Sequence, residues 1–185
     1  MESGADPAKS YFVRRIALTA HREGWPVTFV TSRDRRELEM QLAAEAGEHP
    51  WNEAEMTIVE QDSVRELEGL GGLGGLLAVD SFSFLTLDTG GPAVAHLLRN
   101  LRSVGRDQRT TIVLATDRGM FDPRTAAIVS HLADGVLEFH AKEGPEGLLR
   151  FMRVPKWFDG RIMDRNIHYE FDGKRIAVDL RRRVL

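Results

Sequence analysis

The chain contains no cysteine. That excludes a disulfide framework, a thiolate nucleophile and any zinc or iron–sulfur site ligated by cysteine. Tyrosine and tryptophan are scarce, at 2 and 3 residues. Trp157 and Phe158 stand far from any basic cluster, so no base-stacking platform for nucleic acid is expected. Charge of one sign is not in excess either. With 25 Lys and Arg against 28 Asp and Glu, the net charge is −3, which gives no global field to draw the chain to nucleic acid or to an anionic membrane. The longest apolar stretch, Gly74 to Leu87, is broken by Asp80 and Ser81 and is too short and polar to span a bilayer. Met1 to Ser10 lacks the apolar core of a signal peptide. A cytoplasmic protein without membrane contact is the expectation. Lysine is confined to Lys9, Lys142, Lys156 and Lys174.

What is present is globular material. The 185 residues, 42% hydrophobic and 29% charged, have the length and composition of a single domain. Such a chain buries roughly 70% of the surface it would expose unfolded.

Helical and strand periodicities alternate along the first two-thirds. Lys9 to Glu23 carries Phe12, Ile16 and Ala20 on one face, with Arg14, Arg15 and Arg22 among the polar positions, and ends at Gly24. Val27 to Thr31 is a β-branched run and reads as a strand. Asp34 is an N-cap for a second helix, with Glu37 three residues on as a capping box requires. Met56 to Val59 is a short strand, and Ser63 to Leu67 a helical turn. Leu76 to Ser81 and Thr111 to Ala115 read as strands buried on both faces. Pro92 to Val104 and Pro123 to Leu132 are helices. From Gly135 the texture changes to four strand-like runs separated by turn residues, which is the grammar of antiparallel hairpins. The expected architecture is an α/β core with a mostly parallel sheet flanked by helices (1–134), followed by a β-meander (135–185), within one domain over 1–185.

Ligand sites in such sheets lie beyond the carboxyl ends of the strands. That directs attention to Thr31 to Asp34, Asp80 to Ser83 and Thr116 to Arg118. In LLAVDSFSFL (76 to 85), several apolar residues close on Asp80. This is the form of a Walker B element, whose carboxylate holds the water shell of a nucleotide's Mg²⁺. A buried strand whose aspartate caps the next turn has the same form. Upstream, SGADPAKS (3 to 10) puts Lys9 and Ser10 in the Lys-Ser/Thr slot of a Walker A loop, at a helix start. Ser3 and Ala8 stand where that loop has glycines, and a Cβ at the second obstructs approach of backbone to phosphate. GLGGLG (69 to 74) precedes a strand rather than opening a helix, so it is no dinucleotide fingerprint. The histidines show no metal-ligand spacing. Asp88, Asp117, Asp122 and Asp134 read as turn and cap residues, and Arg181 to Arg183 as a solvated terminus.

Taken in order, these segments resemble the KaiC-like branch of RecA-superfamily ATPases. LLAVDSFSFL resembles that family's Walker B strand with its following serine. TTIVLATDRGMFDPRTAAIVSHLADGVLEF (110 to 139) resembles the next strand, loop, helix and Ala-Asp-Gly-Val strand. RFMRVPKWFDGR (150 to 161) resembles the strand ending in a Lys-x-Arg motif, IHYEFDGKRIAVD (167 to 179) the closing hairpin, and REGWPVTFVTSRDRREL (22 to 38) the strand after the first helix. The resemblance implies a RecA-like P-loop NTPase core. It also implies ATP and Mg²⁺ as ligands. Lys9, Ser10, Asp80, Ser81 and Lys156 would touch the nucleotide, and Ser10 and Asp80 the ion.

The departures from the family pattern bear on activity. A glutamate pair follows the second strand in active relatives, and one of the two polarises the attacking water; here Arg33 and Asp34 fill those slots, leaving Asp34 as the one candidate base. The Lys-x-Arg motif acts across a subunit interface like an arginine finger, a device worth about 10³-fold or more in rate. Lys156 matches it, but Phe158 takes the arginine slot, with Arg161 as a displaced substitute. The family also has a strand before its Walker A loop, for which the residues ahead of Lys9 supply no sequence. A truncated start, a sheet short of one member, or a neighbour filling the gap are the alternatives. The expectation is a degenerate nucleotide-binding or non-catalytic regulatory subunit that self-associates and meets a protein partner. The alternative is an active, oligomeric Mg-ATPase. A DNA-binding recombinase relative is disfavoured by the acidic balance.

Overall fold

The structure is a computed structural model. It describes residues 7–47, 56–64, 67, 70, 74–144, 147–160 and 163–178, with the side chains of 163–165 left aside. Ser3, Arg161, Arg181 to Arg183 and most of the 69–74 glycine run lie outside the described residues, as does part of the Ser63 to Leu67 turn.

Two sheets form. The first is parallel, in the order β2–β1–β3–β4, from β1 (Val27–Thr31), β2 (Met56–Glu60), β3 (Gly75–Asp80) and β4 (Thr110–Leu114). The second is antiparallel, in the order β5–β6–β7–β8, from β5 (Val136–Gly144), β6 (Gly147–Lys156), β7 (Met163–Phe171) and β8 (Ile176–Val178). Helices α1 (Pro7–Arg22), α2 (Arg35–Ala46), α3 (Phe82–Leu85), α4 (Gly91–Asp107) and α5 (Pro123–Leu132) connect and cover the strands. The expected mostly parallel α/β core followed by a β-meander is what the chain adopts.

Register brings the strand ends level. Thr31 lies opposite Glu60 on one side and Asp80 on the other, and Val79 lies opposite Leu114. Gly75 is required at the start of β3. Its φ is +77°, and a Cβ there would meet the Pro26 carbonyl oxygen at 2.1 Å. The inner strands are buried from end to end: every residue of β1, and Leu76 to Asp80 of β3. One core lies between α1, α2 and the sheet, around Leu18, Phe29, Leu42 and Ala78. The other lies on the opposite face around Leu77, Val79, Phe82, Val94 and Leu101.

Helix α1 differs from the amphipathic reading. Tyr11, Val13, Arg14, Ala17, Leu18 and Ala20 are buried, whereas Phe12 and Ile16 are only partly so. The helix is packed on more than one side. It faces β3, β1 and α2, while Tyr11 meets Phe171 and Phe12 meets Phe139 of the second sheet, with ring centroids 5.3 and 5.4 Å apart. A helix in that position buries apolar groups around most of its circumference. Arg14 is therefore not a surface residue; its Nε donates to Glu45 Oε1 at 2.8 Å. Arg15 donates to the Glu45 carbonyl at 2.8 Å and Arg22 to that of Ala46. Cations thus satisfy the last carbonyls of α2, where the helix dipole favours them.

Strand β4 also departs from expectation. Its apolar run reads as a strand buried on both faces, but Ile112, Val113 and Leu114 are only half-buried. It pairs with β3 on one side and ends its sheet, as β5 ends the other; among the described residues the two sheets share no pairing. In α5 only Thr125 is buried, despite Ala126, Ile128 and Val129. The Ala-Asp-Gly-Val turn between α5 and β5 is fastened from outside. Asp134 accepts from Arg102 at 2.6 Å, and a Cβ on Gly135 would press on the Trp157 ring at 3.1 Å.

Candidate functional site

The carboxyl end of the parallel sheet gathers one polar cluster. Lys9, in the first turn of α1, reaches the segment after β4: its Nζ donates to the Thr116 carbonyl at 3.0 Å and forms an ion pair with Asp117 Oδ1. The other oxygen of that carboxylate accepts from Ser81 Oγ at 2.6 Å. Ser83 Oγ lies 2.8 Å from Ser81 Oγ and 3.3 Å from Asp117 Oδ2, and accepts from the Asp117 backbone N–H at 2.9 Å. The start of α1 and the exit of β3 therefore meet on one carboxylate from the loop after β4.

Local backbone explains why. The chain leaves β3 through a cis Asp80–Ser81 peptide. The Ser81 N–H donates to Ser32 Oγ at 3.3 Å and the Phe82 N–H to the Ala115 carbonyl at 2.8 Å. These bonds tie the β3 exit to the loops after β1 and β4. Asp80 itself is buried at 7% exposure, and Ser10 at 8%. Burial on its own pushes the Asp117 carboxyl up. Hydrogen bonds from Lys9 and Ser81, the Lys9 charge and the Ser83 bond outweigh it and hold the group below the ordinary carboxylate range.

Of the residues expected at a nucleotide site, Lys9 and Ser81 join this cluster directly. Asp80 adjoins it at the end of β3, and Ser10 follows Lys9 on α1. Asp34 and Lys156 do not join it. Asp34 Oδ1 accepts from the Glu37 N–H at 3.0 Å and caps α2, as its spacing predicts. The Glu37 carboxylate accepts from Gln41 Nε2 at 3.1 Å. Lys156 Nζ donates to the Ser130 and His131 carbonyls at 3.2 and 2.7 Å, at the end of α5. Phe158 beside it is 73% exposed.

Asp117 is the residue that sequence reasoning missed. Its turn reading holds, since the Met120 N–H donates to the Asp117 carbonyl at 3.3 Å, just as Asp122, read the same way, caps α5; what that reading omits is the pairing of its side chain with Lys9. Position just past a parallel strand's carboxyl end does single out Thr116 to Arg118, but nothing in the sequence pairs Asp117 with Lys9. Beside the cluster lies a cavity of about 260 Å³, lined by Lys9, Thr116 to Gly119, Val129 and Val136 to Phe139 among others. A second, of about 320 Å³, lies past β1 and β2, lined by Ser32 and Glu60 to Ser63. Among the described residues no three His, Asp or Glu side chains gather to hold a metal ion, and no helix is long and apolar enough to cross a membrane.

No family model and no curated protein matches this sequence. Solved structures do. The flagellar accessory protein FlaH of Methanocaldococcus jannaschii superposes with a TM-score of 0.77, covering 94% of this chain and 84% of that one at 14% identity. A KaiC-like protein of the hyperthermophilic archaeon Pyrococcus horikoshii superposes with a TM-score of 0.73, covering 95% and 86% at 21% identity. The fold is therefore the one that FlaH and the KaiC-like protein share.

Proposed function

We propose that this chain is a KaiC-like nucleotide-binding protein whose hydrolytic machinery has degenerated, and that it works as a regulatory or scaffold subunit rather than as an ATPase. The observation that carries the reading is the division among the expected site residues. Lys9, Ser10, Asp80 and Ser81, which would hold phosphates and their cation, lie at the carboxyl end of the sheet. The group that would activate water is engaged elsewhere, since Asp34 caps a helix. The neighbouring slot holds Arg33, a cation unable to accept a proton. Ser10 and Asp80 are hard oxygen donors of the class that Mg²⁺ takes. The ion would arrive with the nucleotide, where it would neutralise phosphate charge. The chain is taken to work as one domain that self-associates.

Calorimetric titration with Mg-ATP tests this. Weak binding that Lys9→Ala abolishes, with phosphate release at background, is the expected result. A second reading, an active Mg-ATPase with Asp34 as base and Lys156 acting on a neighbouring subunit, is favoured by the retained Lys9, Ser10, Asp80 and Lys156. Turnover that disappears in both Lys9→Ala and Asp34→Asn would establish it in place of the first.

A further inference from the structure

We propose that Asp117 is a latch on Lys9, so that the loop after β4 sets how strongly this site takes a phosphate-bearing ligand. The inference rests on the nucleotide-binding reading above and adds its regulation. A lysine ammonium has three protons and no acceptor. Two of its donor directions are used inside the protein, on Asp117 Oδ1 and on the Thr116 carbonyl. The Lys9 side chain is only 16% exposed and that of Asp117 29%, so their pairing is less screened than one in open water. The carboxylate is in turn fixed by Ser81 and Ser83 from the β3 exit, and the Asp117 backbone N–H donates to Ser83 Oγ.

A phosphate entering beside Lys9 therefore meets a neutralised cation and a rigid like charge. To take more than the third N–H, it must draw the ammonium from Asp117 and Thr116, and Asp117 must turn to a cation brought by the ligand or remain against Ser81 and Ser83. Position explains why this latch belongs to one loop. Asp34, past the end of β1, is engaged with its own helix. Asp117 has no helix to cap and faces Lys9 across 108 residues of sequence. Removing its charge frees Lys9 and removes the repulsion while leaving an isosteric side chain for Ser81.

The test is a titration of the full chain with a fluorescent ATP analogue, with and without Mg²⁺. The proteins are the wild type, Asp117→Asn, Lys9→Met and the double variant. Asp117→Asn should bind about tenfold more tightly, in keeping with loss of one charged hydrogen bond that competes for Lys9. Lys9→Met should erase that gain. Equal or weaker binding by a folded Asp117→Asn than by the wild type overturns the latch, and makes Asp117 a ligand-holding group instead. Reductive methylation of the ligand-free protein, read residue by residue by mass spectrometry, is a second measurement. In the wild type Lys9 should react several-fold more slowly than the exposed Lys174, and Ser81→Ala or Asp117→Asn should speed it. Lys9 reacting as fast as Lys174 in the wild type overturns the latch without reference to any nucleotide. Slow methylation relieved by Asp117→Asn, with no analogue bound by either protein, leaves the Lys9–Asp117 pair standing but overturns the nucleotide-binding reading and, with it, the pair's control of ligand affinity.

Discussion

The inner strands β1 and β3 and the terminal strand β4 have the same kind of sequence and different fates. VTFVT and LLAVD are buried throughout, while TTIVL is half-buried from Ile112 to Leu114. Apolar composition states what a strand is able to bury. Its place in the sheet states what it does bury, since β4 has a hydrogen-bonded neighbour on one side alone among the described residues. The loops after the strands differ in the same sense. Past β1, Asp34 serves the adjacent helix; past β4, Asp117 serves a lysine from the far end of the sequence.

The largest effect that tests this contrast is on stability. Leu77 is buried at 1% exposure and Leu114 lies on the neighbouring strand, partly buried against the same core. Leu77→Ala should cost about 3–4 kcal/mol in denaturant unfolding, and Leu114→Ala only about 1 kcal/mol, because the cost follows the cavity left and the area already exposed. Equal losses would mean that β4 is as fully packed as the inner strands.

A smaller effect separates the two aspartates. Asp34→Ala should destabilise by about 1 kcal/mol through loss of the cap, and Asp34→Asn by almost nothing, since asparagine caps as well. A large loss on Asp34→Asn would show that its charge, rather than its cap, is what matters, and would bring the two aspartates closer in role.

The smallest effect is confined to acid. The folded-state pKa of Asp117 is held below its ordinary value. Its ionised form therefore contributes stability above the unfolded-state pKa, about 4, and that contribution disappears as pH falls through the lower, folded-state value. The urea midpoint of the wild type should drop more steeply below pH 4 than that of Asp117→Asn. Glu138 and Arg118 line the same cavity as Lys9 and are common to both proteins. Parallel pH profiles would remove Asp117 from the acid response.

What the residues determine alone is the local grammar. The alternation of helical and strand periods, the Asp34 and Asp122 caps and the hairpin turns follow from interactions between residues a few positions apart. For that reason the architecture is legible without coordinates, while the candidacy of Lys9, Ser10, Asp80 and Ser81 comes from motif position and family resemblance. Tertiary structure alone decided that α1 is packed from several sides and buries Arg14 against Glu45, that β4 ends its sheet among the described residues, and that Asp117, besides opening a turn, is a lysine's counter-ion. Each depends on partners 31 to 108 residues away or on strand order. No periodicity records those, because contact across a sheet is fixed by how the layers close and not by spacing along the chain.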